Sequence, residues 1–314
     1  MKRQQLLISL ITGFLLVACG GEEEDSTSSP SLVEYTGLET EATISIANAA
    51  GIVREMFGLG GISISLSATA EEETTESKPE PYNILVPLAL TETIKDINAG
   101  NAIDSALAAK NFSEVRNCET GHLDYIITVD DLTGVFNGNM TYDDCLVAGF
   151  TLEGSAEVSG HYDLMTNTFV DISLDFPWLK GKSEVVDYVA SERIQVAFAD
   201  PITTTTLENT VVSIDNRKAV KFEGYAIVVN EDTSEKTLAL SGRFYHPDEG
   251  FVTVSTDGSI FFTENTNWPY HGQLSMQGTL SVLQIEFQDS EAYTLWVDEG
   301  DEDSEWDYVD LVNW

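Results

Sequence analysis

The chain has 314 residues, with 15 Lys and Arg against 53 Asp and Glu, a formal charge of −38. A field of that sign repels nucleic acid and anionic lipid headgroups, so neither is an expected partner. Cationic partners and divalent ions are favoured, and a salt-adapted, highly soluble surface has the same composition. With 42% hydrophobic residues the chain can build a core, which excludes global disorder.

Residues 1–18 read as a secretory signal. Lys2 and Arg3 give a positive start, and Leu6 to Val17 is apolar except at Ser9, Thr12 and Gly13. The stretch is too short and wrongly flanked for a membrane-spanning helix of the mature protein. Its end, Leu16-Val17-Ala18-Cys19, resembles the lipobox of bacterial lipoproteins at all four positions. The resemblance implies that Cys19 is lipidated and becomes the first mature residue, tying the protein to a membrane. Residues 19–31 (CGGEEEDSTSSPS) then read as the lipidated cysteine and an acidic, flexible tether, which holds a domain roughly 20 Å from the bilayer. Gly20 is not the aspartate of an inner-membrane retention signal, so by analogy with lipoprotein sorting the outer membrane is the expected address, on its periplasmic side or at the cell surface. Glu22-Glu23-Glu24-Asp25 resembles a surface-export mark and fits a solvated tether equally well.

Residues 32–117 read as a helical segment that packs on a sheet. Within Ala42 to Phe57, Ile46, Ala49, Ala50, Val53, Met56 and Phe57 fall at helical spacing, and Gly58 ends the run. Ala68 to Pro81 is acidic and of low complexity, so a loop is expected. After Pro87 a second helical stripe carries Leu90, Ile94 and Ile97. It breaks at Gly100-Asn101 and resumes with Ala102, Ile103, Ala106 and Leu107.

Residues 118–314 read as an antiparallel β-domain. From His122 the period is two. Phe150, Leu152, Ala156, Val158 and Tyr162 share a face opposite Thr151, Glu153, Ser155, Glu157, Ser159, His161 and Asp163. Val170, Ile172, Leu174 and Phe176 alternate with Asp171, Ser173 and Asp175. Leu238/Leu240/Phe244, Leu274/Met276/Leu280 and Tyr293/Leu295/Val297 continue the pattern. Asn137-Gly138, Asp215-Asn216, Asn230-Glu231-Asp232 and Asp257-Gly258 are expected turns. One polar and one apolar face per strand predicts a long antiparallel meander, mainly β with N-terminal helices. Its length forces a curved sheet, half-barrel or sandwich. Trp306, Tyr308, Val312 and Trp314 echo the end of a membrane barrel, but Asp310 shares their face and a soluble domain is preferred.

Once Cys19 carries lipid, Cys118 and Cys145 remain in an oxidising compartment and are expected to form a structural disulfide. For a loop of that size the chain-entropy account gives about 3–4 kcal/mol. Three passages then resemble uncharacterised outer-membrane lipoproteins of Gram-negative bacteria. They are the opening Tyr35-Thr36-Gly37 through Ala42-Thr43-Ile44 to Asn48-Ala49, the central pair Cys118 and Cys145 around a hairpin, and Trp268-Pro269-Tyr270-His271-Gly272 to Gly278-Thr279 followed by an Asp-rich turn. The resemblance implies a fold and an address, and no activity.

Asp298, Asp301, Asp303, Glu305 and Asp307 form the acidic cluster that could present oxygens to calcium. Counted from Asp301, the sixth position, where an EF-hand-like loop bends at glycine, is Trp306. Weak binding is therefore the most the cluster predicts, and a solvated hairpin tip reads equally from the sequence. No other cofactor is expected. His122/Asp124, His161/Asp163 and His246/Asp248 repeat a spacing that shares a strand face and could hold zinc between strands. No Gly-x-Ser-x-Gly, phosphate loop or His-Glu-x-x-His is present, so no catalytic residue is assigned. The expected function is a non-enzymatic binding or structural lipoprotein; its curved sheet could hold an apolar ligand, and a cavity lined by residues such as Phe150, Leu152, Val170 and Ile172 would mark that case. The alternative is an adhesive or carbohydrate-binding module using Trp268 and Tyr270, and a hydrolase ranks last.

Overall fold

The computed structural model describes residues 33–58, 81–101, 111–147, 149–183, 186–231, 236–262, 269–289, 292–300 and 305–313. Residues Leu32–Trp314 form one compact unit. Two helices, α1 (Ala49–Phe57) and α2 (Tyr82–Asn101), precede the strands. The first eight strands are β1 (Asn111–Asn117), β2 (His122–Val129), β3 (Val135–Val147), β4 (Phe150–Asp163), β5 (Thr168–Lys182), β6 (Asp187–Ala199), β7 (Ile202–Leu207) and β8 (Thr210–Ile214). They are followed by β9 (Val220–Asn230), β10 (Lys236–His246), β11 (Gly250–Thr256), β12 (Ile260–Phe262), β13 (Pro269–Gly278), β14 (Ser281–Phe287), β15 (Ala292–Asp298) and β16 (Tyr308–Asn313).

All sixteen belong to one antiparallel sheet in sequence order, the meander expected from the period-two runs. Two lanes are split. β7 and β8 together fill the space between β6 and β9, and β11 and β12 fill the space between β10 and β13. The sheet is open, because among the described residues no pairing joins β1 to β16. Strand β1 already begins at Asn111, inside the segment expected to be helical. Its edge position explains the misreading: Ser113, Glu114 and Val115 are all exposed, so no alternation marks it.

A flat sheet of this many lanes would be roughly 65 Å wide, whereas a helix with its side chains is about 10 Å across. Even so, the two helices and the segment before them touch strands from β3 to β14. Tyr82 stacks edge-on against Phe150 of β4, Thr91 meets Thr205 of β7 at 2.8 Å, and the Tyr225 hydroxyl of β9 lies 3.9 Å from Met56. Phe57 packs on Phe287 of β14. The sheet must therefore curve around the helices, and its apolar face supplies the core: Phe136, Leu152, Leu174, Ile194, Ile227, Leu240, Ile285 and Leu295 are fully or almost fully buried.

Helix α1 is shorter than its apolar spacing suggests. It starts at Ala49 because residues 35–48 are pulled into a strap across the strand ends. The Tyr35 hydroxyl donates to the His246 carbonyl, Phe251 N–H to Thr40, Ala42 N–H to Phe251, and Thr279 N–H to Ala42. Ile44 N–H reaches Ser281 Oγ, and Ile46 N–H reaches Glu299 Oε1. These partners lie in the β10–β11, β13–β14 and β15–β16 turns, which the alternating strand direction places at one end of the sheet. Gly58 takes the left-handed conformation (φ 72°) that closes α1.

Helix α2 begins at Tyr82, five residues before Pro87, which lies inside it. A proline here removes one intrahelical donor, yet the surrounding apolar residues Ile84, Val86 and Leu90 are buried and hold the helix. The Thr91 hydroxyl donates back to the Pro87 carbonyl. The continuation at Ala102, Ile103, Ala106 and Leu107, and the loop of residues 68–80, lie outside the described residues.

Two further expectations need correction. Asn137-Gly138 lies within β3, and the turn occurs at residues 130–134, where Asp130 Oδ1 accepts from Leu132 and Thr133 N–H. Gly138 serves instead a close strand approach, since a Cβ there would overlap the Ile126 carbonyl. Leu280 is not on the apolar face of its run. It occupies the β13–β14 turn at φ 56° and is 84% exposed.

Candidate functional site

The outer face of the sheet carries a polar groove over β3 to β7. Cross-strand register stacks the outward side chains into rows. One row runs Asn137, Ser159, Ser173, Gln195, Thr206. On one side of it lie Val135, His161, Asp171, Ala197 and Thr204; on the other lie Asn139, Glu157, Asp175 and Arg193. The middle row has short hydroxyl side chains at its centre, while each flanking row carries one hydrogen-bonded pair of longer side chains, His161–Asp171 and Asp175–Arg193. A trough between two walls follows. It comprises two hollows of about 580 and 570 Å³ that share Ser159, Ser173 and Gln195.

Each wall holds one hydrogen-bonded side-chain pair. His161 Nδ1 lies 2.9 Å from Asp171 Oδ2 across β4–β5. Arg193 Nε donates to Asp175 Oδ2 at 3.0 Å across β5–β6, and the same carboxylate raises the Arg193 pKa, chiefly through that hydrogen bond. Both pairs are solvent-exposed, so each contributes under about 1 kcal/mol to stability; their consequence is to fix side chains along the rim. Beneath the floor, Gly160 lets β4 and β5 approach, since a Cβ there would overlap the Asp171 carbonyl and the Phe136 ring. Phe136 and Phe169 pack below with ring centres 4.9 Å apart. The floor is therefore backed by packed aromatic rings.

The chemistry on offer is dense and two-sided. Serine and threonine hydroxyls and asparagine and glutamine amides each donate and accept, and the two walls add carboxylates and a guanidinium. This complements a ligand whose own groups also donate and accept. The groove was half legible in the sequence, in the polar faces of β4 and β5. Asn137, Asn139, Arg193, Gln195, Thr204 and Thr206 were missed, since register across four ladders brings them together.

The sequence-predicted sites fare unevenly. Cys118 and Cys145 form a disulfide with Cα atoms 5.3 Å apart, tying the β1–β2 turn to β3. Cys19 lies outside the described residues, as do Asp301, Asp303 and Trp268. In the acidic turn, Asp298 Oδ1 accepts from Gly300 N–H and Asp307 Oδ2 from Glu299 N–H, so both carboxylates brace the turn backbone; Glu305 is exposed. Among the described residues no three His, Cys, Asp or Glu side chains are grouped to hold a metal. The repeated histidine spacing does not build one site. His122 lies 3.7 Å from Asp124, but His161 turns to Asp171 while Asp163 caps the β4–β5 turn through Met165 N–H. His246 Nδ1 accepts from Asp248 and Glu249 N–H, which requires its unprotonated form, and burial lowers its pKa in the same direction.

The four residues expected to line an apolar cavity do not share one face. Phe150, Leu152 and Ile172 are buried in the core around α2, whereas Val170 is 46% exposed. The cause is a register shift at His161/Tyr162: Asp171 pairs with His161 and Phe169 with Tyr162, which leaves Val170 as the extra residue pointing outward. Tyr270 stands near Phe261 at 6.3 Å between ring centres, away from the groove residues.

One functional-looking side chain went unread. Glu192 is the only carboxylate among the described residues that is buried, at 2% exposure. The Tyr188 hydroxyl donates to its Oε1, and its Oε2 has no hydrogen-bond partner. It sits on β6 where the partner strand changes from β7 to β8. Burial raises its pKa to about 7, outweighing the Tyr188 hydrogen bond. Comparison with known protein families, curated proteins and solved structures gives no match.

Proposed function

We propose that the chain is a lipid-anchored, non-enzymatic binding protein of the outer membrane whose groove over β3 to β7 takes a hydroxyl-rich ligand, a segment of glycan. The observation that carries the reading is the row Asn137–Ser159–Ser173–Gln195–Thr206, set between the His161–Asp171 and Asp175–Arg193 pairs. Sugar hydroxyls donate and accept, as these side chains do, and a hollow of about 580 Å³ suits a small-molecule ligand. An apolar ligand inside the sheet has less support, because Phe150, Leu152 and Ile172 belong to the packed core, Phe150 against Tyr82 of α2. A hydrolase has less support too, since Asp175 is held in an ion pair with Arg193 and Asp171 is hydrogen-bonded to His161. The anchor and the address rest on the lipobox resemblance at Leu16-Val17-Ala18-Cys19, and weak calcium binding by the 298–307 turn remains a separate proposal.

Without an aromatic stacking platform in the groove, affinity comes from hydrogen bonds alone, and a Kd of roughly 0.1–1 mM is expected. A glycan panel followed by titration calorimetry tests it. Ser173→Trp fills the centre of the floor from an outward position and should abolish binding of whichever glycan the parent takes, with no loss of melting temperature. Retention of parent affinity by that variant, or no binding across the panel, overturns the reading.

A further inference from the structure

The hollow of about 570 Å³ at one end of the groove carries more negative charge than its ion pair cancels. Its wall is the row Asn139, Glu157, Asp175, Arg193, one residue from each of β3 to β6. Register sets Glu157 directly opposite Asp175 across β4–β5, and like charges so placed repel. Arg193 answers only one of them: its Nε donates to Asp175 Oδ2 at 3.0 Å, and its Nη2 closes on the same oxygen. Glu157 is exposed, and among the described residues it has no hydrogen-bond or ion-pair partner. On its other side stands Asn139, an amide that cannot neutralise it. The neighbouring hollow adds Asp171, hydrogen-bonded to His161, and no lysine or arginine.

A ligand that brings a cation to this wall removes a repulsion that the free protein carries. One that brings a carboxylate or a phosphate adds to it, in a chain of charge −38. An ammonium has one charge and three donors, and a carboxylate beside an amide carbonyl can accept from it. We infer that the groove selects glycans bearing a free amino group, with the sugar ammonium at Glu157 and Asn139. The inference rests on the glycan reading of the groove and names the class of sugar it takes.

The probes are the trisaccharides of glucosamine, of N-acetylglucosamine and of galacturonic acid, titrated by calorimetry. At about pH 6 and roughly 0.15 M salt the amine is charged, the carboxylates are ionised and the diffuse field is screened. The acetyl group removes the charge and keeps the ring. The glucosamine trisaccharide should bind about fivefold tighter than the N-acetyl one, the limit for an exposed charge pair, and the uronic acid should not bind detectably. Glu157→Gln should erase that preference and leave the N-acetyl trisaccharide at parent affinity. It also relieves the like-charge pair, so its melting temperature should not fall. Glu286→Gln, on the outer face of β14 outside the groove, removes the same charge and should keep the preference. Equal binding of the glucosamine and N-acetyl trisaccharides by the parent overturns the inference and leaves the glycan reading standing. So does a preference that survives Glu157→Gln, or one that Glu286→Gln erases as well, since either assigns it to the overall field. If the parent binds none of the three the inference fails, and the wider glycan panel decides separately the reading it rests on.

Discussion

At the scale of one residue, Glu192 adds a pH-dependent contribution to the stability of the fold. Its carboxyl is buried at the β6 lane change and has a pKa of about 7, while in the unfolded chain it titrates near the ordinary glutamate value of 4.5. A group whose pKa is raised in the fold gives a contribution that is complete below the unfolded value. That contribution is lost as pH rises through the folded one. The parent should therefore lose a few kcal/mol between about pH 4.5 and 7 from this site. Glu192→Gln keeps an acceptor for Tyr188 and cannot ionise, so its melting temperature should fall less over that interval. Parallel pH profiles for the two proteins would show that the carboxyl has relaxed towards water. Nothing in the residue pattern marked Glu192, which stands on β6 in a stretch, residues 183–200, that shows no clean apolar band. Only the alternation of Tyr188, Ala190, Glu192 and Ile194 onto the core side reveals it.

At the scale of the element, side chains from outside close the helices. Asn83, buried at the start of α2, donates through Nδ2 to the carbonyls of Glu55 and Met56 at the end of α1. These are two of the orphan acceptors every helix leaves at its C-terminus. Asn83→Ala removes the amide from the buried Met56 carbonyl, while the Glu55 carbonyl keeps the Gly58 N–H, and should cost about 1–3 kcal/mol, read as a lower urea midpoint at unchanged slope. A loss below about 0.5 kcal/mol would mean that water replaces the amide. Elements of this kind are readable from sequence only in part. The stripe ending at Phe57 marked α1, and Gly58 marked its end. Its start could not be read, because residues 42–48 owe their conformation to hydrogen bonds with Phe251, Thr279 and Ser281, more than 200 positions away. Long alternating strands such as β4 were legible for the opposite reason: one face is buried along most of their length. Bulges defeat that logic locally, as Val170 shows, because one inserted residue reverses which face the next side chain meets.

For the whole molecule, the lipid anchor proposed at Cys19 bears on where the fold works. The reading from Leu16-Val17-Ala18-Cys19 predicts that Cys19→Ala releases the protein from the membrane fraction, measured by detergent-free fractionation and blotting. A variant that still sediments with outer membranes as the parent does would remove the lipid from the account and leave the sheet itself as the attachment. Fold class, antiparallel order and the Cys118–Cys145 pairing were all within reach of composition, period and count. Of the groove, only the polar faces of β4 and β5 were, since the rest comes together only once four ladders fix their registers.

The strap also bears on the order in which this chain can assemble. Almost every strand pairs with its neighbours in sequence, so pairing can spread along the chain as each segment becomes available, with little loop-closure entropy to overcome. The strap is the exception. Thr40 and Ala42 wait for Phe251 and Thr279, and Ile46 for Glu299. For a chain that emerges N-terminus first, the earliest residues to appear are thus among the last to find their partners, and the fold locks only after nearly all of it has arrived.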